Sequence, residues 1–264
     1  MVKYTSEKIN ICGIWIDNVN MAEAVSRIES LIWKRQPSQV VTPNTDHVMI
    51  FQKEKEFQGI YSRAALVTAD GSPLIWASYF LGTPLKERVT GADLVPELCR
   101  LSAEKKYKLF FMTGGSDASI GEKAAEELKK KYPGIQIVGI YYPPFGFEKN
   151  PIESARIIEK IKAVSPDMLF VGVGTPKQEK WIARHLDEMG VPVSIGVGAS
   201  FHFIAGAVRR APMFMRRCGF EWLWRLFQEP GRLWKRYLVD DVFFFGRVLR
   251  QKMKNLHLPT ERTK

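Results

Sequence analysis

Through its first two hundred residues the chain alternates short β-branched or apolar runs with longer amphipathic stretches, and this alternation restricts the fold most. The runs at 9–16, 39–42, 65–68, 108–113, 136–141, 168–173 and 191–197 are of strand length. Between them lie helical patterns such as 21–33, where Met21, Val25, Ile28 and Ile32 form one stripe, and 120–131. Strands alternating with helices predict an α/β fold, a mainly parallel sheet flanked by helices on both faces. Ligands meet such a sheet at the carboxyl ends of its strands.

From about residue 205 the pattern becomes helical, basic and aromatic. In "FEWLWRLFQEPGRLWKRY" Phe220, Leu223, Trp224 and Phe227 recur at helical spacing, and Pro230-Gly231 breaks that helix. A second helix is expected to follow, with Trp234, Tyr237, Leu238 and the aromatic run 243–245. The expected organisation is a core, 1–204, and a helical C-terminal appendage, 205–264. Of the net charge of +11, residues 205–264 carry +9, as 14 Lys and Arg against 5 Asp and Glu. Charge concentrated at one end implies a local anionic partner: membrane surface, nucleic acid or phosphate. Trp, Phe and Arg interleaved in this way suit a membrane interface. A phosphate-backbone binder would instead show steep salt dependence.

Several function classes are disfavoured. Cys12, Cys99 and Cys218 are scattered and odd in number, which reads as core residues in a reducing cytoplasm rather than disulfides or metal ligands. The N-terminus has no apolar h-region followed by a small-residue cleavage site. Residues 191–208 carry no charge, but Pro192, three glycines and His202 make a poor bilayer helix, so a buried strand entering a glycine-rich loop is expected. "GVGTPK" and "GVGASF" lack the third glycine of GxGxxG, and GxxxxGK[ST], GxSxG, DxD and HExxH are absent. A dehydrogenase or methyltransferase fits the fold class but lacks that fingerprint, and no protein-bound metal or cofactor is expected.

Five strand ends finish in small or polar residues: 42–47, 68–72, 113–117, 172–179 and 196–200. Glycines there, including Gly114, Gly115 and Gly174, let backbone amides approach phosphate oxygens beside helix N-termini. Each loop alone also reads as an ordinary turn. In "LVTADGSPL" Asp70 lies between an apolar strand and a helix expected from Pro73 to Leu81, with Ser72 as its cap. On the residues alone Asp70 is either a ligand-facing acid or a turn and capping acid.

The motifs "TPNTDHV", "VTADGSPLIWAS", "RVTGADLVPEL", "FFMTGGSD", "GVGTPKQEKW", "GVGAS…AGAVRRAP" and "GFEWLWRLFQEPGRLWKR" stand in the order seen in the WecG/TagA/CpsF glycosyltransferases. The resemblance runs from about residue 9 to 238. It implies a Rossmann-like core and inverting transfer of a sugar of the N-acetylmannosamine type. The implied donor is a UDP-sugar and the implied acceptor a polyprenyl-diphosphate-linked saccharide, in teichoic acid or surface polysaccharide synthesis. The implied location is the cytoplasmic face of the membrane, with no nucleic acid partner; self-association is left open. Within the resemblance Asp70 looks like the general base, which an inverting transfer needs to take the acceptor hydroxyl's proton. Thr42 and Asn44 look like the polar edge of the sugar pocket, and Gln178 like a pocket residue. Arg88 looks like a phosphate or sugar ligand, or else an ion-pair partner. Arg225 and Arg232 look like arginines brought over the active site, where guanidinium groups suit a diphosphate. The chain departs from the family at His202, where an acid is usual.

Overall fold

The isoleucines near the start of the chain fold back on one another. The computed structural model describes residues 7–115, 117–228, 230–235 and 241–257. Within it, residues 9–16 are not the single strand expected but a hairpin of β1 (Lys8–Ile11) and β2 (Ile14–Asp17). Cys12 and Gly13, at φ 50° and 91°, make the two-residue loop whose left-handed backbone matches strand twist. Ile9 pairs with Ile16 and Ile11 with Ile14, so the four isoleucines share one buried face.

Among the described residues, six further strands form one parallel sheet: β3 (Ser38–Val41), β4 (Leu66–Val67), β5 (Lys108–Thr113), β6 (Gln136–Tyr141), β7 (Met168–Gly172) and β8 (Val193–Gly196). Their order is β4-β3-β8-β7-β5-β6, with helices on both sides, the α/β arrangement that the alternation predicts. Side chains alternate between the faces along each strand. Val40, Leu109, Phe111, Phe170 and Ile195 pack on one face with helices Met21–Lys34, Gly91–Lys105 and Ile120–Lys131. On the other face Val41 and Val67 meet helices Thr45–Phe51, Lys55–Arg63 and Ser72–Leu81. There too Phe110, Met112 and Leu169 meet Pro151–Val164 and Lys177–Met189. Strands covered on both faces read as continuous apolar runs, which is why they were legible. At the edge strand β4 the Asp17 carboxylate accepts from the Val67 N–H at 2.9 Å. The hairpin thereby covers a sheet edge.

The uncharged stretch 191–208 forms β8, a turn and the short helix Ser200–Ile204. Among the described residues no helix is long and apolar enough to cross a membrane. Beyond it lie helices Met213–Arg217, Glu221–Gln228, Pro230–Lys235 and Asp241–His257. Pro230 and Gly231, expected to break a helix, are the first two residues of helix Pro230–Lys235; position 229, Tyr237 and Leu238 lie outside the described residues. Phe244 and Val248 of the last helix are buried against the isoleucine hairpin. The Cys12 N–H donates to Gln251 Oε1 at 2.7 Å, and Gln251 Nε2 donates to the Asn10 carbonyl at 2.9 Å.

Candidate active site

The carboxyl ends of β3, β4, β5, β7 and β8 open into one cleft of about 840 Å³. All five small and polar strand-end loops contribute to its lining. Helices begin within or shortly after them, at Thr45, Ser72, Ile120, Lys177 and Ser200, an arrangement that favours anions.

Asp70 sits deep in this cleft. Its N–H donates to the Pro43 carbonyl at 2.8 Å, tying the loop after β4 to the loop after β3. Its Oδ2 accepts from the Gly91 N–H at 3.3 Å. Gly71, at φ 107°, supplies the turn from strand to helix and is the N-cap; Ser72 is the first helical residue and its hydroxyl makes no cap bond, contrary to expectation. Burial pushes the Asp70 carboxyl up to about 6. The Arg88 charge and the Gly91 N–H pull it down, while Glu221 and Asp93 add to the rise. A carboxylate at a helix N-terminus is ordinarily held ionised, but here desolvation outweighs that effect.

The mouth of the cleft beside Asp70 is cationic. Arg88 donates to Glu221 Oε2 at 2.9 Å and lies 3.7 Å from Asp93. Arg210 donates to Asp93 Oδ1 at 2.7 Å, and Arg216 lies 3.7 Å from the same oxygen. Burial raises the Asp93 carboxyl, but Arg210, Thr90 and Arg88 more than offset it and hold the group below its usual range. Arg225 stacks over the Phe203 ring at 5.6 Å, and its buried Nε finds no hydrogen-bond partner among the described residues. Four arginines here face three carboxylates, Asp70 included, and Arg225 has an unused donor. That surplus suits an anion with several oxygens.

Residues 9–257 match the glycosyl transferase WecG/TagA/CpsF family. The chain belongs to this family of glycosyltransferases. A relative from Staphylococcus aureus (strain MRSA252), named N-acetylglucosaminyldiphosphoundecaprenol N-acetyl-beta-D-mannosaminyltransferase, is 30% identical over 251 residues, covering 94% of each chain. Proteins of the same name from strains MW2 and NCTC 8325 match to the same extent.

The transferase places its other sequence-singled residues as follows. Thr42 is nearly buried, and its Oγ1 lies 3.4 Å from where a Cβ on Gly91 would fall. Asn44 caps helix Thr45–Phe51, accepting from the His47 N–H at 3.3 Å. Gly115, at φ 120°, passes so close to His202 that a Cβ would fall 2.9 Å from its ring. His202 Nε2 lies 3.1 Å from the Gly114 carbonyl, so the residue at the usually acidic position props the loop after β5. Gly174, at φ 90°, has open space where a Cβ would stand. Gln178 is buried: its Oε1 accepts from the N–H groups of Gly174 (3.1 Å) and Gly198 (3.2 Å), and its Nε2 donates to Glu179 at 2.6 Å. The amide of Gln178 thus joins two glycine loops of the floor. Arg232 falls in helix Pro230–Lys235, with its side chain outside the described residues.

Sequence reasoning left several contributors without a role. Arg210 stands in the quoted "AGAVRRAP" and Glu221 in "FEWLWR", but only the folded chain brings both to Asp93 and Arg88. Beneath the floor, His47 Nδ1 lies 2.7 Å from the Tyr61 hydroxyl and its Nε2 2.6 Å from Thr175 Oγ1. Thr175 in turn donates to Glu179 at 3.4 Å. Burial raises Glu179 to about 7 against the pull of Gln178 and Thr175, and Asp46 adds to the rise.

The raised Asp70 carboxyl has a thermodynamic consequence. Its ordinary value is 3.8 and its folded value about 6, so the folded chain binds the proton more tightly. Stability is then lost as pH rises between those values. Asp70→Asn removes this cost, so the variant should be the more stable at pH 7.5, by about 2–3 kcal/mol at ~1.4 kcal/mol per unit. Calorimetric melting at pH 7.5 and pH 4 checks this. The gain should shrink at the lower pH, and a variant melting below wild type at pH 7.5 would contradict it.

Proposed function

We propose that this glycosyltransferase moves a sugar of the N-acetylmannosamine type from UDP to a polyprenyl-diphosphate-linked saccharide, with inversion at the anomeric carbon. The observation that carries the reading is a half-buried carboxylate in the cleft, raised to about 6, beside a cluster of arginines with donors to spare. The Asp70 carboxylate accepts the proton of the acceptor hydroxyl while that oxygen attacks the anomeric carbon from the face opposite the diphosphate. The bond from that carbon to the phosphate oxygen breaks, and its electron pair leaves with UDP. Arg88, Arg225 and Arg232 take up the charge on the departing diphosphate, helped by backbone N–H groups near Gly114 and Gly115, while Gly174 leaves open space for it. Thr42 and Asn44 edge the sugar pocket, and Gln178 shapes its floor. The names of the Staphylococcus aureus relatives support the choice of sugar and acceptor.

Residues 205–264 are proposed to act as an appendage with two tasks, completing the diphosphate site and docking on the anionic cytoplasmic face of the membrane. Helix Asp241–His257 exposes Phe245, Leu249, Met253 and Leu256. Trp76, Tyr79 and Phe80, on the helix that follows Asp70, are exposed as well, and Lys252 sits over the Phe80 ring at 5.9 Å. Aromatic rings and lysines side by side suit the headgroup region, and they would bring a lipid-linked acceptor to the cleft.

The defining experiment offers a panel of UDP-sugars with a short-chain lipid-diphosphate-GlcNAc acceptor and measures UDP release. Acceptor-dependent release, highest with UDP-N-acetylmannosamine, is expected; absence of release from every UDP-sugar would sink the reading. Asp70→Asn should slow transfer by on the order of 10²- to 10⁴-fold. For wild type, kcat/KM should climb with pH and level off above about 6 as Asp70 ionises. A flat profile from pH 5 to 8 would remove Asp70 from the role of base.

With arginines neutralising the leaving group, the reaction is proposed to run without a metal ion. Turnover should survive excess EDTA; activity lost to chelator and restored by magnesium or manganese would contradict this.

The membrane arm has its own test. Replacing Arg250, Lys252 and Lys254 together by Gln should weaken co-sedimentation with anionic vesicles by roughly 1 kcal/mol per charge. Turnover on a soluble acceptor should be spared, and unchanged vesicle binding would assign docking elsewhere.

A further inference from the structure

Beneath the cleft floor lies a carboxylate that the transfer step does not use. Glu179, 1% exposed, follows Gln178 at the start of helix Lys177–Met189. Its Oε1 accepts from Gln178 Nε2 at 2.6 Å and from Thr175 Oγ1 at 3.4 Å, and lies 3.8 Å from His47 Nε2. Its Oε2 is buried without a partner among the described residues. An unsatisfied buried oxygen costs stability, and an apolar side chain of that size would fill the space at lower cost. Something other than stability therefore accounts for an acid here.

The contacts show what it does. The N–H groups of Gly174 and Gly198 both point at Gln178 Oε1, so that amide has one permissible orientation, with Nε2 turned to Glu179. If Gln178 flipped, its NH₂ would face two donors. An acceptor at 179 locks the orientation. Through Thr175 and His47 the same oxygen reaches the loop after β3, where the His47 N–H bonds to Asn44. Gly196 of β8 closes the arrangement from below: a Cβ there would fall 2.7 Å from Gln178 Nε2 and 2.8 Å from Glu179 Oε1.

We propose that Glu179 is a positioning residue for the donor site, fixing three loops of the cleft floor (42–47, 172–178 and 196–200) through Gln178, Thr175 and His47. It acts as a hydrogen-bond acceptor, not as a charge. Naming the donor as ligand rests on the glycosyl-transfer reading; the fixing of the loops does not.

Two variants of Glu179 separate acceptor from charge. Glu179→Gln keeps an acceptor oxygen and loses the charge, whereas Glu179→Leu keeps the bulk and loses both. Gly196→Ala disturbs the same pair from the strand side without altering either residue. With the full-length chain, backbone hydrogen exchange in the three loops is compared among these variants at a temperature where all remain folded by melting curve. Glu179→Leu and Gly196→Ala should speed exchange in all three, and Glu179→Gln should not. The donor KM should rise on the order of tenfold in the first two. In Glu179→Gln it should stay within about twofold, with the acceptor KM unchanged throughout. Exchange in Glu179→Leu equal to wild type would overturn the proposal. So would Glu179→Gln behaving like Glu179→Leu, since that would make the charge decisive. If wild type uses no UDP-sugar at all, the transfer reading fails, while the exchange comparison still decides the role of Glu179.

Discussion

The placement of Asp70 governs the rest of the cleft. A carboxylate taken out of water must either be neutralised or be held beside a cation, and the chain does something between the two. Arg88 is close enough to restrain the rise in proton affinity but is itself engaged by Glu221 and Asp93. The acid is therefore left titrating near 6, in the range where a carboxylate is both ionised at neutral pH and appreciably basic. Tying its backbone to Pro43 and its side chain to Gly91 fixes the position that makes this balance hold.

The arginines around it form a graded set. Arg210 is bound closely to Asp93, Arg88 bridges both acids, and Arg225 rests on an aromatic ring with a donor unused. Glu221 belongs to the C-terminal helices and Arg88 to the segment before helix Gly91–Lys105, so the pair between them joins two distant parts of the chain. A guanidinium held by a carboxylate is already oriented and desolvated, which lowers the entropy cost of receiving a phosphate oxygen.

Much of this was legible in the residues. Apolar runs of strand length separated by helical stripes gave the two-faced sheet, because burial on both faces leaves few polar positions within the strands, Gln39, Thr113 and Ser194 among them. The loops were legible for the converse reason: small and polar residues gather where the strands end. The hairpin at 9–16 was missed because Gly13 alone marks its turn within a mostly apolar stretch, and a cysteine in a left-handed conformation beside it gives no compositional warning. Ser72 reads as a cap by type, yet the left-handed backbone at Gly71 moves the cap back one residue. Gln178 was singled out in the sequence and lines the cleft, but nothing local to it reveals that both ends of its amide bind the protein. The roles of Arg210, Asp93 and Glu221 depend on contacts across more than a hundred residues, for which a single sequence carries no signal.

The isoleucine hairpin and the last helix give the chain an unusual closure. Cys12 is held by Gln251, 239 positions away, and Phe244 and Val248 cover apolar surface that the hairpin presents. Contacts of such separation are entropically slow to form. During synthesis the part of the hairpin's apolar face that Phe244 and Val248 cover would stay open until those residues had emerged. The helix that begins after Asp70 packs into that same cluster through Leu74 and Ala77. The loop that carries Asp70 is thereby anchored to a core that is complete only once helix Asp241–His257 has been added to it.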